Sequence, residues 1–250
     1  MAPVDTDERD ALAAAAGGAA KRAYVRRIFS EIAPRYDLLN HLLSANIDES
    51  WRRRAIGALG WERAPVGTYL DICSGTMDIA ALLAAQRGFF GQVICADFAE
   101  PMLRAGAFKI RGSALRPVVA DALRLPLPDG ISAGAIVAFG LRNFEDLDAG
   151  LGELRRVLAP GRRLVVLEFT TPPNPLVRVL YRTYSRHLLP IVGRVVSGHR
   201  SAYRYLPASV AAFPDAPNLA MRMEQAGFTA VRWELLTSGI AAVHWGERAA

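Results

Sequence analysis

Apolar and polar positions alternate along this chain in blocks that predict strands separated by helices. Short apolar runs predict seven strands, at residues 68–73, 92–97, 117–120, 135–139, 163–169, 230–236 and 240–245. Amphipathic stretches between them predict helices at residues 78–87, 100–111, 147–158 and 218–226. This alternation favours an α/β fold with a mostly parallel sheet and helices on both faces.

Three segments lie outside the alternation. Residues 1–20 predict a flexible lead-in, residues 21–60 a helical cap, and residues 172–207 a basic helical insertion before the sixth strand. We therefore expect a single domain over residues 21–250. The acidic start lacks the basic segment of a signal peptide, and no apolar run approaches the roughly 20 residues that span a bilayer. We expect a cytoplasmic protein.

The composition is that of a folded protein with a basic surface. Of 250 residues, 52% are hydrophobic and 22% charged, with a net charge of +6, which excludes extended disorder except at the ends. Lys21 and Lys109 are the only lysines. No acidic residue lies between Glu168 and Asp215, where six arginines alternate with apolar residues. This pattern favours an anionic partner such as acidic lipid headgroups, with a solvated helix face as the alternative.

The two cysteines, Cys73 and Cys95, belong to no C-x-x-C or Cys/His cluster. We therefore expect reduced thiols and no metal site.

Candidate chemistry lies where the predicted strands end, because open parallel sheets bind ligands beyond the carboxyl ends of their strands. Asp97 follows the second strand and can accept hydrogen bonds from both ribose hydroxyls of an adenosine. Asp121 follows the third strand and can accept from the adenine amine, while Ala122 offers a backbone N–H. Each aspartate alone is equally explained as a helix N-cap. Gly75 is the single glycine of the first turn, whereas dinucleotide turns normally carry three.

Longer motifs extend this pattern. They are FSEIAPRYDLLN at residues 29–40, FGLRN at 139–143, RRVLAPG at 155–161 with LEF at 167–169, and SAYRYL at 201–206. With them the chain resembles class I S-adenosylmethionine-dependent methyltransferases, and specifically the ubiquinone/menaquinone biosynthesis C-methyltransferase (demethylmenaquinone methyltransferase) family, over nearly its whole length. The resemblance implies a Rossmann-like fold, S-adenosylmethionine as cofactor, and C-methylation of a prenylated quinol. The ring is that of demethylmenaquinol or the benzoquinol of the ubiquinone pathway.

The resemblance also implies site residues. Those for the cofactor are Asp71, Gly75, Thr76, Asp97, Asp121, Ala122 and Ala138. Arg142 is expected to stabilise a developing phenolate, with Asn143 orienting a hydroxyl or water. A structural Arg142 paired with Glu145 or Asp146 is the alternative. Secondary candidates for the substrate wall are Tyr36, Asp37, Asn40, Tyr203 and Tyr205, with aromatic core packing as the alternative.

Other residues carry weaker signals. Met77 stands where the family's turn has a second glycine, and its side chain is expected to disfavour positive φ and to lean into the cofactor pocket. Trp51 with the arginines at 52–54 predicts an interfacial patch or a solvated helix end. The histidines weighed as bases are His187, His199 and His244.

Two other functions remain open at this point. One is methylation of a soluble phenolic or polyketide metabolite, since this fold changes substrates through its caps and insertions. The other is a non-catalytic basic protein that binds nucleic acid or membrane. No nucleic-acid-binding motif is present, so we expect no nucleic-acid partner. We expect peripheral contact with an anionic membrane at its inner face, and the oligomeric state stays open, with a homodimer as one alternative.

Overall fold

A seven-stranded sheet forms the centre of the molecule. The computed structural model describes residues 18–37, 46–110, 114–184 and 200–250, together with Ala14 and Ser44. The strands are β1 (Thr68–Ile72), β2 (Gln92–Asp97), β3 (Leu115–Val119), β4 (Gly134–Ala138), β5 (Arg163–Phe169), β6 (Phe228–Leu236) and β7 (Ala241–Arg248). Their order is β3-β2-β1-β4-β5-β7-β6, and β7 runs antiparallel to the other six strands. The predicted mostly parallel sheet is confirmed.

Helices cover both faces of this sheet. They are α1 (Ala19–Ile32), α2 (Ile47–Leu59), α3 (Asp78–Ala84), α4 (Glu100–Ala105), α5 (Leu147–Val157), α6 (Pro175–Thr183), α7 (Arg200–Ala212) and α8 (Ala216–Gln225). On one face, Leu151 and Leu154 of α5 and Met223 of α8 pack against β4 and β5. On the other face, α2 and α3 contribute Ile56 and Leu83 to a second core. Apolar residues spaced three or four apart thus face the sheet, as expected of amphipathic helices.

Several predicted boundaries differ from the structure by one to six residues. Two of these differences have a clear local cause. The helix predicted at residues 100–111 ends at Ala105, and a short 3₁₀ turn, Ala107–Lys109, follows. Gly106 separates them and lies so close to the first turn that a Cβ there would stand 2.2 Å from the Thr76 carbonyl oxygen. The strand predicted to start at Ala230 begins earlier, at Phe228, because a bulge with φ of 50° at Ala230 interrupts but does not end the pairing.

The cap and insertion are only partly described. The described part leaves out residues 1–13 and 15–17 of the lead-in, residues 38–43 and 45 of the cap, and residues 185–199 of the insertion. Helix α1 packs against the short 3₁₀ turn Leu141–Asn143 and so lies over the carboxyl ends of the strands. No helix among the described residues has the length and hydrophobicity needed to cross a bilayer.

Candidate functional site

Two tight loops meet at the carboxyl ends of β1 and β4. In the loop after β1, Cys73, Gly75 and Met77 all have positive φ, at 54°, 54° and 66°. In the loop after β4, Phe139 has φ of 59°, a rare conformation for an aromatic residue. A Cβ on Gly140 would lie 2.3 Å from that of Cys73, so the loops touch through backbone. Strained backbone of this kind concentrates at functional sites.

The Met77 side chain is buried in the protein core, not in the cleft. It is fully inaccessible to solvent and packs in the same cluster as Ile79 and Leu83. The expectation that it leans into the cofactor pocket is therefore wrong, and the backbone holds its positive φ in spite of the Cβ. Burial of a large apolar side chain offsets the cost of the left-handed conformation.

Asp97 forms the floor of a solvent-open cleft of about 460 Å³ beyond β2. Its Oδ2 accepts a hydrogen bond from the Gly75 N–H at 2.9 Å, and its Oδ1 accepts one from the Ala99 N–H at 2.8 Å. Burial raises the pKa of this carboxyl, and the backbone donors oppose that rise. Each oxygen keeps a lone pair, so the fixed carboxylate can also accept two hydroxyl hydrogens.

Asp121, Ala122 and Asn143 line the same cleft. One Asp121 oxygen accepts from the Leu123 N–H at 3.0 Å, and the other pairs with Arg22 of α1 at 2.6 Å. The carboxylate expected to meet an adenine amine is thus joined to the cap in this structure. Arg22 is largely exposed, so this pair costs little to open.

A second cleft of about 320 Å³ lies on the other side of the first turn and is lined by Asp71, Gly75, Thr76 and Ala138 among others. The buried Asp71 carboxylate accepts from the Ala80 N–H at 3.1 Å. Burial raises the pKa of Asp71 to about 8, and the nearby carboxylates Asp78 and Asp97 add to the rise.

The cap is tied to this second cleft by Asp37. Its carboxylate accepts hydrogen bonds from the Thr76 hydroxyl and from Lys109, the latter at 2.7 Å. Lys109 also pairs with Asp78 at the start of α3. The first turn, α3 and the cap are therefore joined by one set of charged groups.

Trp51 and Arg52 are buried, which contradicts both sequence interpretations of the patch at residues 51–54. The Trp51 indole donates to the Thr237 hydroxyl at 2.9 Å. Arg52 pairs with Asp48 and lines the second cleft. Trp51 and Arg52 lie on the buried face of α2, whereas Arg53 and Arg54 lie on its exposed face.

Arg142 is buried beside the clefts and pairs with Glu168 at the end of β5. Its Nη1 donates to Glu168 Oε1 at 2.7 Å and to the Phe139 carbonyl, and its backbone N–H donates to Glu168 Oε2 at 3.2 Å. The guanidinium also lies 5.6 Å from the centroid of the Phe169 ring. Its Nε–H has no acceptor among the described residues.

The structural pairing weighed for Arg142 from the sequence is not the one formed. Asp146 instead caps α5 by accepting from the Ala149 N–H at 3.0 Å, and Glu145 lines the first cleft. The partner is Glu168 because β4 and β5 are adjacent strands and end side by side.

Two aromatic residues of the predicted substrate wall reach the site. The Tyr205 hydroxyl donates to Asn143 Oδ1 at 3.1 Å, and burial raises the pKa of Tyr205 to about 12. Tyr36 lines the second cleft. Asn40 and the side chain of Tyr203 lie outside the described residues.

Of the three histidines weighed as bases, the structure describes His244, which lies outside the site. His187 and His199 lie outside the described residues. His244 is buried within the sheet, where its Nε2 lies 2.9 Å from the Ala216 carbonyl. Burial lowers its pKa to about 4, as expected of a neutral structural histidine.

The sequence interpretation missed two charged residues of the site, Glu168 and Lys109. A signal existed for Glu168, since it is the one acid in the apolar run of β5. Lys109 carries no such signal, because its partner Asp37 is 72 positions away.

The donor set fits the predicted cofactor. Asp97 offers two free lone pairs to a ribose, and Asp121 and Ala122 face the same cleft. The second cleft is lined by the cation Arg52 and by the carboxyl groups of Asp71 and Asp78, and so offers both a cation and acceptors to an amino-acid end group. Among the described residues, no group of three His, Cys, Asp or Glu side chains is arranged to hold a metal.

Comparison with known proteins places the chain among methyltransferases. Residues 18–248 match the ubiE/COQ5 methyltransferase family. The demethylmenaquinone methyltransferase of Thermus thermophilus is 52% identical over 223 residues, covering 88% of this chain and all of that protein. The corresponding enzyme of Deinococcus radiodurans is 43% identical, covering 90% of this chain and 92% of its own.

Solved structures share the fold at low identity. An S-adenosylmethionine-dependent methyltransferase of Thermotoga maritima superposes with a TM-score of 0.62 at 18% identity, covering 89% of this chain and 98% of its own. Haemonchus contortus phosphoethanolamine N-methyltransferase 2, solved with S-adenosyl-L-methionine, gives a TM-score of 0.58 at 12% identity, over 78% of this chain and 52% of its own.

Proposed function

Because the chain belongs to the ubiE/COQ5 methyltransferase family, we propose that it transfers a methyl group from S-adenosylmethionine to a ring carbon of a prenylated quinol. Demethylmenaquinol is the proposed acceptor, since two relatives at 52% and 43% identity are named demethylmenaquinone methyltransferases. The benzoquinol of the ubiquinone pathway is the second acceptor of the same chemistry. A relative from Syntrophotalea carbinolica, 45% identical, is named for both pathways.

The buried Arg142–Glu168 pair is the observation that carries this proposal. It puts a permanent cation next to the cofactor clefts, bordered by the rings of Phe139 and Phe169 and by Tyr205. A planar, apolar ring with an acidic hydroxyl fits such surroundings, because the rings receive its face and the guanidinium receives its oxygen.

When bound, S-adenosylmethionine supplies a methyl group on a sulfonium, which is already a good leaving group. The chain must therefore align the reactants and increase the electron density of the ring. Asp97 and Asp121 hold the adenosine, and Arg142 stabilises the phenolate form of the ring. Lowering a phenol pKa from about 10 to about 7 requires about 4 kcal/mol, which a preorganised guanidinium in a dry site supplies in part.

Replacing Arg142 tests this assignment. Arg142→Ala is expected to lower kcat by about 10²–10³, the loss typical of one preorganised electrostatic donor, and to leave cofactor affinity within about threefold. Arg142→Lys recovers part of the rate, because an ammonium lacks the planar fork. Raising the pH rescues the alanine variant disproportionately, since solvent then ionises the ring. The matched control is Arg104→Ala, at an exposed arginine of α4.

Each arm of that experiment has a decisive outcome. Thermal unfolding of Arg142→Ala separates lost chemistry from lost structure, because the change leaves Glu168 buried without its cation. Full activity, or a loss that follows cofactor affinity alone, makes Arg142 structural.

We further propose that α6 contacts an anionic membrane surface, where a prenylated substrate resides. The support is its exposed apolar face, formed by Leu176, Val179 and Leu180, which are 68%, 60% and 62% exposed. Arg178 and Arg182 lie on the same short helix, and each basic group near an anionic surface contributes about 1 kcal/mol.

Vesicle flotation tests the membrane contact. The triple change Leu176→Ser, Val179→Ser and Leu180→Ser is expected to abolish partitioning into vesicles that contain phosphatidylglycerol. Phe90→Ser removes an apolar residue that is 79% exposed just before β2, at the amino ends of the parallel strands, and is the matched control. Equal partitioning of the triple variant and the parent contradicts the proposal, as does equal binding of the parent to neutral and anionic vesicles.

A further inference from the structure

Lys21 occupies a position on α1 that the helix pattern assigns to an apolar residue. The buried face of α1 is formed by Tyr24, Val25 and Ile28, spaced as one helical stripe. Lys21 extends this stripe by one turn towards the start of the helix and is only 8% exposed. Lysine is almost never buried to this extent without a partner.

The surroundings of Lys21 are those of the proposed substrate site. Arg142 and Glu168 are its charged neighbours. One turn further along α1, the ring of Tyr24 lies 5.6 Å from that of Tyr205, whose hydroxyl donates to Asn143. Among the described residues, Lys21 has no side-chain hydrogen bond or ion pair.

The surroundings of Lys21 lower its pKa. Arg142 and Glu168 already neutralise one another, so a protonated Lys21 adds an uncompensated charge to a buried cluster. Burial lowers the pKa of Lys21, the Arg142 cation lowers it further, and Glu168 opposes both. Three tyrosines also face this cluster, namely Tyr24, Tyr36 and Tyr205. Burial raises the pKa of Tyr205 to about 12.

Lysine and arginine differ in the property that matters here. A guanidinium does not release its proton in proteins, whereas a desolvated ammonium next to another cation does. The chain has 30 basic side chains and uses lysine at only two positions, 21 and 109. Lys109 is held by two carboxylates, so among the described residues Lys21 is the lysine without an ion pair.

We propose that Lys21 accepts the proton of the ring hydroxyl that Arg142 stabilises, and so acts as the base of the reaction. This inference rests on the proposed function. The lone pair on Nζ takes the hydroxyl proton, which leaves the ring as a phenolate. Arg142 donates hydrogen bonds to this phenolate, and the new ammonium of Lys21 balances its negative charge. Once the ring carbon carries the new methyl group, it loses its hydrogen to water as a proton. Lys21 then returns the first proton to the oxygen, so that one proton is released per methyl transferred and Lys21 is again neutral.

Selective isotope labelling measures the state of Lys21 without any reaction. Protein labelled with ¹³C and ¹⁵N lysine gives two sets of side-chain signals, because the chain has two lysines. Lys21→Arg identifies which set belongs to Lys21. We expect that set to titrate well below the ordinary lysine pKa of about 10.4. Titration at the ordinary value overturns the proposal.

Kinetics of matched variants test the role in proton transfer. Lys21→Arg and Lys21→Met are expected to lower kcat by about 10²–10⁴ at saturating quinol, and to leave cofactor affinity unchanged. In the parent, kcat rises with pH through the Lys21 ionisation, and both variants lose that inflection. Small primary amines restore part of the rate in Lys21→Ala, which a merely structural lysine would not permit. Arg26→Met, at an exposed position of the same helix, is the control.

The outcomes separate this proposal from the proposed function. If the parent transfers no methyl group to any quinol, the proposed function fails. If the parent methylates the quinol and Lys21→Met keeps its rate and pH profile, the Lys21 assignment alone is overturned. A variant that loses rate but keeps the inflection, without amine rescue, also overturns it.

Discussion

Met77 gives the sharpest test of how the first turn is built. Its φ of 66° and its complete burial make two opposed contributions to stability. Replacing a buried methionine by alanine costs about 2–5 kcal/mol. Alanine keeps a Cβ and therefore keeps the left-handed penalty of about 1–2 kcal/mol, whereas glycine removes it. The extra chain entropy of glycine in the unfolded state offsets about 0.5–1 kcal/mol of that gain.

The expected order of stability is therefore Met77, then Met77→Gly, then Met77→Ala, with the two variants about 1 kcal/mol apart. Urea denaturation of both variants measures the difference. The control is Ala81→Gly, inside α3, where ordinary helix propensity makes glycine the less stable residue by about 1 kcal/mol. Since the side chain lies outside the cleft, affinity for S-adenosylhomocysteine should change by less than about threefold. An alanine variant at least as stable as the glycine variant, or a tenfold loss of affinity in either, refutes this reasoning.

Two further predictions follow from single side chains. Asp97→Ala should weaken cofactor binding by about 2–3 kcal/mol in calorimetry, since it removes the charged acceptor of two hydroxyls. Unchanged affinity would contradict the assignment of Asp97 to the ribose. His244 is neutral in the fold with a pKa of about 4, against about 6.5 when unfolded, so its contribution is complete above pH 6.5 and declines as the pH falls towards 4. Between pH 7.5 and pH 5, the free energy of unfolding of the parent should therefore fall by about 2 kcal/mol more than that of His244→Gln. Parallel pH profiles would contradict the assignment.

The features that could be predicted from the sequence are those that depend on hydrophobic periodicity and on where the strands end. The strands β2 and β5 fall at the predicted residues, and Asp97, Asp121 and Asn143 line one cleft. These positions follow from local pattern plus one topological rule, that parallel strands present their carboxyl ends together.

What the sequence did not predict depends on contacts between distant segments. Arg142 was weighed against its neighbours in sequence, but its partner Glu168 is 26 residues away on the adjacent strand. Likewise, nothing local distinguishes Met77, whose side chain packs into the core, from a residue that fills the pocket. Trp51 was placed on a surface because three arginines follow it, whereas the helix turns it towards Phe139 and Phe169.

Methyl transfer to a reduced quinol by the purified protein tests the central claim most directly. The protein is incubated with S-adenosylmethionine carrying a ¹³C methyl group and with reduced demethylmenaquinol in vesicles that contain phosphatidylglycerol. We expect the label on a ring carbon of the quinol, identified by mass spectrometry and by its carbon chemical shift, and no labelling of the oxidised quinone. Label on an oxygen, or no label in demethylmenaquinol or in the corresponding benzoquinol, would contradict the proposed function.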